Sequence, residues 1–158
     1  MQGPAGQYPT LQVHPSRRCN LQCLHCYSDS GPAVSEQLEI DLLEGVVADA
    51  AAIGYRVMSV SGGEPLLYPG LAQLLRAAHT SGLVTTVTTN GMLLDQRQLN
   101  VLGADCDLVA ISLDGIPESH NFMRNSTRAF DDMCARLPAL RASGIPFGFI
   151  FTLTFHNV

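Results

Sequence analysis

Short apolar segments alternate with amphipathic segments along most of this chain, and this alternation limits the possible folds more than any other feature. Strands are predicted at residues 11–14, 57–60, 83–88, 108–113 and 147–155. Helices are predicted between them, at residues 35–53, 69–81, 95–102 and 130–143. Because strands separated by helices pair in parallel through right-handed crossovers, the sequence predicts an α/β protein built on a parallel sheet.

The ends of the predicted helices carry local signals. Asp95 is predicted to cap the third helix, and Gly82 and Gly144 are predicted to end the second and the fourth. The fourth helix is expected to run through Pro138. The first helix is expected to bury one apolar face, which consists of Leu38, Leu42, Leu43, Val46, Val47, Ala50 and Ile53.

The number of predicted strands helps to decide which parallel α/β architecture the chain adopts. The spacing of the β/α units suits a barrel or a doubly wound sheet, but five strands cannot close an eight-stranded barrel. The chain also ends directly after the fifth predicted strand. We therefore predict a partial (βα) barrel at residues 10–158, truncated after strand five, and a flexible Gly/Pro-rich N-terminus at residues 1–9.

The composition is that of one acidic domain. The chain has 158 residues, 46% of them hydrophobic, and a net charge of -5 without a basic run, which disfavours nucleic acid as a partner. No apolar stretch reaches the length of a membrane span, so no membrane association is predicted. The N-terminus lacks the apolar region of a signal peptide, and three of the five cysteines share one loop. We therefore expect a cytoplasmic protein without a disulfide framework.

Cys19, Cys23 and Cys26 form a C-x3-C-x2-C motif on the loop after the first predicted strand. Three soft thiolates suit an iron–sulfur cluster. A [4Fe–4S] cube held by three cysteines keeps one iron free to bind another molecule. Such an arrangement is typical of an enzyme site rather than of a pure electron carrier.

Two other kinds of site fit part of this motif. A structural zinc ion suits the Cys23-x2-Cys26 spacing, with His25, His14 or Cys19 completing its ligands. A redox C-x-x-C pair would leave Cys19 unexplained. The iron–sulfur interpretation is favoured because zinc modules usually carry a second ligand pair, whereas the later cysteines of this chain stand alone. Those later cysteines, expected to be small buried side chains, are Cys106 and Cys134.

Polar motifs follow three further predicted strands at their C-terminal ends, at residues 61–65, 89–91 and 112–115. In parallel α/β folds these strand ends meet at one rim, where the active site is built. Each motif alone would be read as an ordinary turn. The convergence of four distant segments on one rim is therefore the more informative observation.

The residue types at this rim suit the binding of a charged ligand. Gly62-Gly63 would let the backbone approach a ligand closely, and Glu64 would offer a carboxylate to a cationic group. Asp114 would accept hydrogen bonds from sugar hydroxyls, and Arg124 would grip a carboxylate through two hydrogen bonds. The alternative for Arg124 is a solvated surface charge, and His120 is expected to be structural.

Together these residues resemble the radical S-adenosylmethionine (radical SAM) enzymes. The four matching motifs occur in the family's order, and they are Cys19-x3-Cys23-x2-Cys26, Gly62-Gly63-Glu64-Pro65, Thr89-Asn90-Gly91 and Ser112-Leu113-Asp114-Gly115. The resemblance runs from about Leu11 to the C-terminus, and it implies about five of the family's six β/α units. It also implies that the three cysteines hold a [4Fe–4S] cluster whose open iron is chelated by S-adenosylmethionine (SAM).

The same resemblance implies roles for the other site residues. Gly62, Gly63, Glu64 and Pro65 would bind the methionine amino group of SAM. Ser112 and Arg124 would reach its carboxylate, Asp114 and Asn90 would lie near the ribose or methionine moiety, and His25 and Tyr27 would contact adenine. An external electron donor would drive reductive cleavage of SAM to methionine and a 5′-deoxyadenosyl radical, which would abstract hydrogen from a substrate.

Within the family, residues 23–29, His120-x3-Arg124 and residues 154–158 resemble two groups. One contains peptide-modifying (SPASM-type) maturases, and the other contains haem-pathway enzymes that remodel tetrapyrrole side chains. The expected substrate is therefore a peptide or a tetrapyrrole. The competing hypothesis is a non-catalytic module that binds a cluster or zinc. Because the strongly apolar last strand would lack an outer neighbour, association through that sheet edge is also expected.

Overall fold

The computed structural model describes residues 9–157, in which five parallel strands form one sheet in the order β1-β2-β3-β4-β5. The strands are β1 Thr10–Val13, β2 Val57–Val60, β3 Val84–Thr89, β4 Leu108–Ser112 and β5 Phe147–Ile150. Sheet order equals chain order, so each crossover proceeds in the same direction, as in a barrel and unlike a doubly wound sheet. The predicted α/β fold with an open, partial barrel is confirmed.

Helices connect these strands. They are α1 Ile40–Ala52, α2 Leu71–Thr80, α3 Gln96–Asp105, α4 Pro117–Met123, α5 Ala129–Cys134 and α6 Leu137–Ser143, with a 3-10 turn at Pro65–Leu67. Asp95 caps α3 as predicted, because its Oδ1 accepts the Gln98 N–H at 2.9 Å. Gly82 and Gly144 take φ angles of 80° and 76° just after α2 and α6, as the predicted ends require. None of the described helices combines the length and apolar character needed to cross a membrane.

The two faces of the sheet differ in chemistry. One face carries fully buried apolar side chains that pack into the core with the helices, namely Met58, Val60, Val87, Val109 and Ile111. Each such side chain contributes roughly 1.5–3 kcal/mol through burial. The other face carries small and polar residues in register, including Gln12 beside Ser59 and Ser59 beside Thr86. The core therefore lies on the helix side, and the rim of the polar face is where the site forms.

The first helix begins at Ile40 instead of the predicted residue 35. The preceding segment is extended, because the Leu38 N–H donates to the Pro15 carbonyl at 2.8 Å and Ser16 forms a β-bridge with Gln37. The predicted apolar face is only partly buried. Leu43, Val47 and Ala50 are buried, whereas Leu38, Leu42, Val46 and Ile53 are exposed. The predicted face was thus wider than the stripe that α1 buries.

The predicted helix at residues 130–143 is two helices. It breaks after Cys134, and Pro138 stands in the first turn of α6, where its missing N–H and its ring are tolerated. The short helix α4 was not predicted. Other helix and strand ends differ from the predictions by up to three residues, as is usual for element ends.

The last strand ends at Ile150, not at residue 155. Beyond it the chain turns towards the β4 loop, because the Thr152 N–H donates to Asp114 Oδ1 at 3.2 Å and Asn157 Nδ2 donates to the Asp114 carbonyl at 3.1 Å. The flexible segment predicted for residues 1–9 lies outside the described residues, apart from Pro9. Val158 also lies outside them.

Candidate functional site

The cysteine loop is held over the C-terminal ends of the strands by backbone hydrogen bonds. The Cys19 N–H donates to the Gly31 carbonyl at 3.2 Å, and the Leu24 N–H donates to the Met123 carbonyl at the end of α4 at 2.9 Å. Arg17 connects the start of the loop to its end, because its Nη2 donates to the Asp29 carbonyl at 2.7 Å. The positions of the three thiols are therefore set by both ends of the loop and by α4.

The three thiols line one cavity of about 220 Å³ at this rim. Side chains and backbone from five segments complete it, namely Leu21, His25, Tyr27, Ser30, Gly62, Gly63, Glu64, Asn90, Arg124 and Thr152. Three of the four predicted motifs thus meet at this cavity, namely the cysteine loop, residues 62–64 and Asn90, whereas no residue of the fourth motif at 112–115 lines it. Three cysteines facing one cavity are the soft donor set that an iron–sulfur cluster needs.

The two metal centres suggested by the sequence make different demands on the thiols. Among residues 9–157, no group of three His, Cys, Asp or Glu side chains is arranged to ligate one metal ion. A tetrahedral zinc ion would require thiolates about 3.8 Å apart, given its short Zn–S bonds. In a four-iron cube each cysteine binds a different iron, so the thiolates are further apart. Three soft thiols lining one cavity are the donor set of the cluster that the sequence suggested.

Each thiol of the motif has a hydrogen-bond donor. The N–H of Leu21 lies 3.4 Å from Cys19 Sγ, that of Ser30 lies 3.4 Å from Cys26 Sγ, and Arg124 Nη1 lies 3.8 Å from Cys23 Sγ. Such donors stabilise the thiolate form that ligates a metal. The cavity thus supplies hydrogen bonds to all three proposed ligand atoms.

The three thiols differ in pKa because their burial and donors differ. Burial raises the pKa of Cys19 to about 11. Burial also raises the pKa of Cys23, although the charge of Arg124 opposes it. Burial acts in the same direction on Cys26, but hydrogen bonds from Ser30 and Ser28 outweigh it and lower the pKa of that thiol.

Gly62 and Gly63 pack against the segment that leads into the cysteine loop. A Cβ at Gly63 would lie 2.7 Å from the Arg18 carbonyl carbon, and one at Gly62 would lie 2.8 Å from the Ser16 carbonyl oxygen. Gly62 also has a φ of 104°, which favours glycine. From the sequence, the two glycines were expected to let the backbone approach a ligand closely. The structure adds a second reason for these glycines, which is close approach to the backbone of the first loop.

The Glu64 carboxylate joins two loops of the rim. It is only 2% exposed and accepts hydrogen bonds from the Leu66 N–H at 3.1 Å, from Thr89 Oγ1 at 2.8 Å and from the Asn90 N–H at 2.9 Å. Burial raises the pKa of Glu64, and these hydrogen bonds oppose that rise. Asn90 extends the connection to the cysteine loop, because its Nδ2 donates to Asn20 Oδ1 at 2.8 Å.

Asp114 is the centre of a buried charge network under the cavity. It is 0% exposed, and its Oδ2 lies 2.6 Å from Arg124 Nη2 and 3.3 Å from His25 Nε2. Its backbone N–H donates to His120 Nδ1 at 3.1 Å. Burial, together with the Arg124 charge, lowers the pKa of His120 to about 4, so this ring is neutral. His120 thus has the structural role that was expected.

Tyr27 is anchored by its hydroxyl, although the residue as a whole remains 69% exposed. The hydroxyl lies 2.8 Å from Ser61 Oγ and 3.3 Å from His14 Nε2, and it accepts the Gly62 N–H at 3.3 Å. The ring also packs edge-on against the His14 ring, with centroids 5.4 Å apart. An exposed aromatic face is thereby presented at the edge of the cavity.

Most of the site residues predicted from sequence line the cavity, but three do not. Pro65 is buried at the start of the 3-10 turn, Ser112 lies half-buried on the polar face of the sheet, and Asp114 lies beneath Arg124. Sequence reasoning did not single out other contributors, which are Asn20, Leu21, Ser28, Ser30 and Thr152. Asn20, Leu21, Ser28 and Ser30 could have been suggested only by their position inside or beside the cysteine loop. The later cysteines Cys106 and Cys134 are half-buried against the core.

The sequence model of the radical SAM superfamily matches residues 13–158. Fe-coproporphyrin III synthase of Methanosarcina barkeri is 34% identical over 153 residues, covering 95% of this chain and 38% of that protein. GTP 3′,8-cyclase of Chlorobaculum tepidum is 38% identical over 106 residues, covering 66% of this chain and 32% of that protein. The chain therefore spans two fifths or less of the length of these curated relatives.

Two solved structures share the fold. Streptococcus suis SuiB bound to precursor peptide SuiA has a TM-score of 0.76 at 20% identity, covering 90% of this chain and 32% of that chain. The anSMEcpe structure with bound AdoMet has a TM-score of 0.72 at 22% identity, covering 89% of this chain and 43% of that chain. At these identities the likeness shows a common fold.

Proposed function

The chain belongs to the radical SAM superfamily, and on this premise we propose that it forms the cluster-binding and SAM-binding part of a radical enzyme. The observation that carries the proposal is the single cavity in which the three thiols meet Gly62, Gly63 and Asn90. Five segments that are distant in sequence contribute to its lining. A binding module without radical chemistry would not need the remaining rim motifs to converge beside the thiols.

In this proposal Cys19, Cys23 and Cys26 hold a [4Fe–4S] cluster. The chemistry that the bound cluster would supply is one-electron reduction of SAM, with the electron coming from an external donor, which would cleave a carbon–sulfur bond and start hydrogen abstraction from the substrate. The loop around the thiols would orient them, because its two ends and α4 are held by hydrogen bonds.

The remaining side chains would bind and orient SAM. Gly62–Pro65 would receive the amino group, mainly through the backbone, because the carboxylate of Glu64 is already occupied by three donors. Arg124, with Ser112 as the second expected contact, would bind the carboxylate. Asn90 would lie near the ribose or methionine moiety, and His25 and Tyr27 would contact adenine. Asp114, which is 0% exposed beneath Arg124, would hold the guanidinium rather than touch SAM. The exposed ring of Tyr27 offers a stacking surface for that base.

The proposal is tested by anaerobic reconstitution with iron and sulfide. We expect about four irons per chain and the broad visible absorbance of a thiolate-bound cube. Cys19→Ala, Cys23→Ala and Cys26→Ala should each abolish cluster binding. Cys106→Ala is the matched control and should retain it, because Cys106 hydrogen-bonds the Leu108 carbonyl, away from the cavity. Tightly bound zinc without iron uptake would overturn the assignment.

For the substrate, we propose a tetrapyrrole or a peptide. The first is supported by 34% identity to a relative named Fe-coproporphyrin III synthase over most of this chain. The second is supported only by the fold, which the peptide-bound SuiB structure shares. Stimulation of 5′-deoxyadenosine release by coproporphyrin but not by peptides would favour the first class. Binding of SAM without any 5′-deoxyadenosine release under reducing conditions would favour a non-catalytic module.

A further inference from the structure

Arg124 contacts two partners with the two ends of its guanidinium. Nη2 lies 2.6 Å from Asp114 Oδ2, and Nη1 donates towards Cys23 Sγ at 3.8 Å. The residue is only 9% exposed, and its Nε is buried without a hydrogen-bond partner among the described residues. The positive charge is therefore buried and directed at the sulfur of a proposed cluster ligand.

Asp114 holds this guanidinium from a rigid position. Its Oδ1 accepts the Thr152 N–H at 3.2 Å, its backbone N–H donates to His120 Nδ1 at 3.1 Å, and its carbonyl accepts from Asn157 Nδ2 at 3.1 Å. Contacts from two separate segments, α4 and residues 152–157, thus fix a residue that is 0% exposed. The direction of the Arg124 side chain is set before any ligand binds.

A buried ion pair contributes little net stability compared with packed apolar residues of similar volume. Removing two charges from water costs several kcal/mol, so packed apolar residues often stabilise a fold equally well. The pair here also leaves a buried donor unsatisfied. Its position beside a proposed ligand sulfur points to an electrostatic role at that sulfur.

We propose that Arg124, oriented by Asp114, is a positioning residue that raises the reduction potential of the cluster through Cys23. Reduction adds one electron from the external donor to the cluster and makes it more negative by one charge. A hydrogen bond and a positive charge at a ligand sulfur stabilise that reduced state. The guanidinium stays protonated throughout, so no proton is transferred.

This inference rests on the proposed function, because it needs the cluster. It differs from the expected role of Arg124 in binding the SAM carboxylate. The two roles are separated by measuring the cluster without SAM, where a carboxylate contact is impossible.

The test is an EPR-monitored redox titration of the reconstituted protein without SAM. Arg124→Gln should shift the midpoint potential to a more negative value, and Arg124→Lys, which keeps the charge but cannot reach both partners, should lie between it and the parent. Arg128→Gln is the matched control and should match the parent, because Arg128 pairs with Asp132 at 3.0 Å on the exposed surface. The effect of Arg124→Gln should shrink in an Asp114→Asn background, where the guanidinium has lost its anchor.

The outcomes separate the two proposals. Failure of the parent to take up iron would overturn the proposed function and this inference with it. A normal cluster with equal potentials in the parent and Arg124→Gln would overturn this inference alone. If Arg124→Gln does not hold a cluster, Arg124→Lys gives the same comparison. Equal effects of Arg124→Gln with and without Asp114→Asn would show that Asp114 does not orient the guanidinium.

Discussion

At the scale of single residues, Gly63 is the position where one added carbon matters most. Gly63→Ala would place a Cβ within 2.9 Å of the Arg17 carbonyl carbon and closer still to Arg18, whose backbone leads into the cysteine loop. We expect a loss of about 1–3 kcal/mol in the free energy of unfolding and reduced iron incorporation. Urea unfolding of the apo-protein and iron analysis measure the two effects.

Gly45→Ala is the control for that substitution. Gly45 lies inside α1, and an added Cβ there meets nothing within 4 Å. The change should stabilise the protein by about 0.5–1 kcal/mol, because alanine favours the helix. Equal behaviour of the two variants would show that the first loop can move away from Gly63 at little cost.

His120 makes stability depend on pH. Its pKa is lowered from 6.5 to about 4, because burial and Arg124 disfavour the charged ring. Well above pH 6.5 the ring is neutral in both the folded and the unfolded chain, so its full contribution to the free energy of unfolding is present. As the pH falls from 6.5 to 4 the unfolded chain gains a proton that the folded chain does not. Stability should then fall by up to about 3 kcal/mol.

His120→Asn tests this pH dependence. Its side-chain oxygen can still accept the Asp114 N–H, but it does not titrate. Urea unfolding of the apo-protein between pH 7.5 and pH 4 should show a smaller loss for the variant than for the parent. Parallel pH profiles for the two proteins would assign the acid sensitivity to other groups.

At the scale of elements, Glu64 connects the loops that follow β2 and β3. Glu64→Ala would leave three donors without their acceptor, one of them the Thr89 hydroxyl. We expect a loss of about 2–4 kcal/mol in stability and weaker SAM binding by the cluster-loaded protein. Glu64→Gln should lose less, because one acceptor oxygen remains.

Glu44→Ala is the matched control for Glu64. Glu44 accepts one hydrogen bond from Gln73 at 3.0 Å on the exposed surface, so its loss should change stability by less than about 0.5 kcal/mol. Unfolding curves and equilibrium dialysis with SAM provide both readouts. Unchanged SAM binding in Glu64→Ala would show that the connection between the two loops does not shape the cavity.

The first four strands were predicted well from the sequence, whereas the helix breaks and the end of the last strand were predicted poorly. Strands such as Val57–Val60 and Leu108–Ser112 are short, apolar and buried on one face, so their pattern is clear. The break after Cys134 was missed because apolar spacing continues across it, although Pro138 marked the start of α6. Helix α4 has only seven residues, which is too short for a periodic signal.

The site shows the same division between local and long-range information. The cysteines and Gly62-Gly63 were found because their spacing is local in sequence. The positions of Ser112 and Asp114 outside the cavity depend on the register of β4 and on contacts with residues as distant as Thr152 and Asn157. Such contacts leave no pattern in a single sequence.

At the scale of the whole molecule, the open sheet leaves β5 paired only with β4 among the described residues. Large apolar side chains at and beyond this edge are 47–71% exposed, namely Phe149, Ile150, Phe151 and Leu153. Unpaired backbone groups beside apolar side chains favour pairing with another chain. We therefore predict that the 158-residue chain self-associates through the β5 edge.

Size-exclusion chromatography with light scattering over a range of concentrations tests this prediction. Phe151→Lys should shift the chain towards the monomer, because a charge at an edge opposes strand pairing. Ile53→Lys is the matched control: Ile53 is 78% exposed just after α1, so its replacement removes a similar apolar surface away from the edge. A parent chain that stays monomeric at high concentration contradicts the prediction. Association through the β5 edge should respond to Phe151→Lys but not to Ile53→Lys. Equal effects of the two variants would therefore show that the association depends on general surface hydrophobicity and not on that edge.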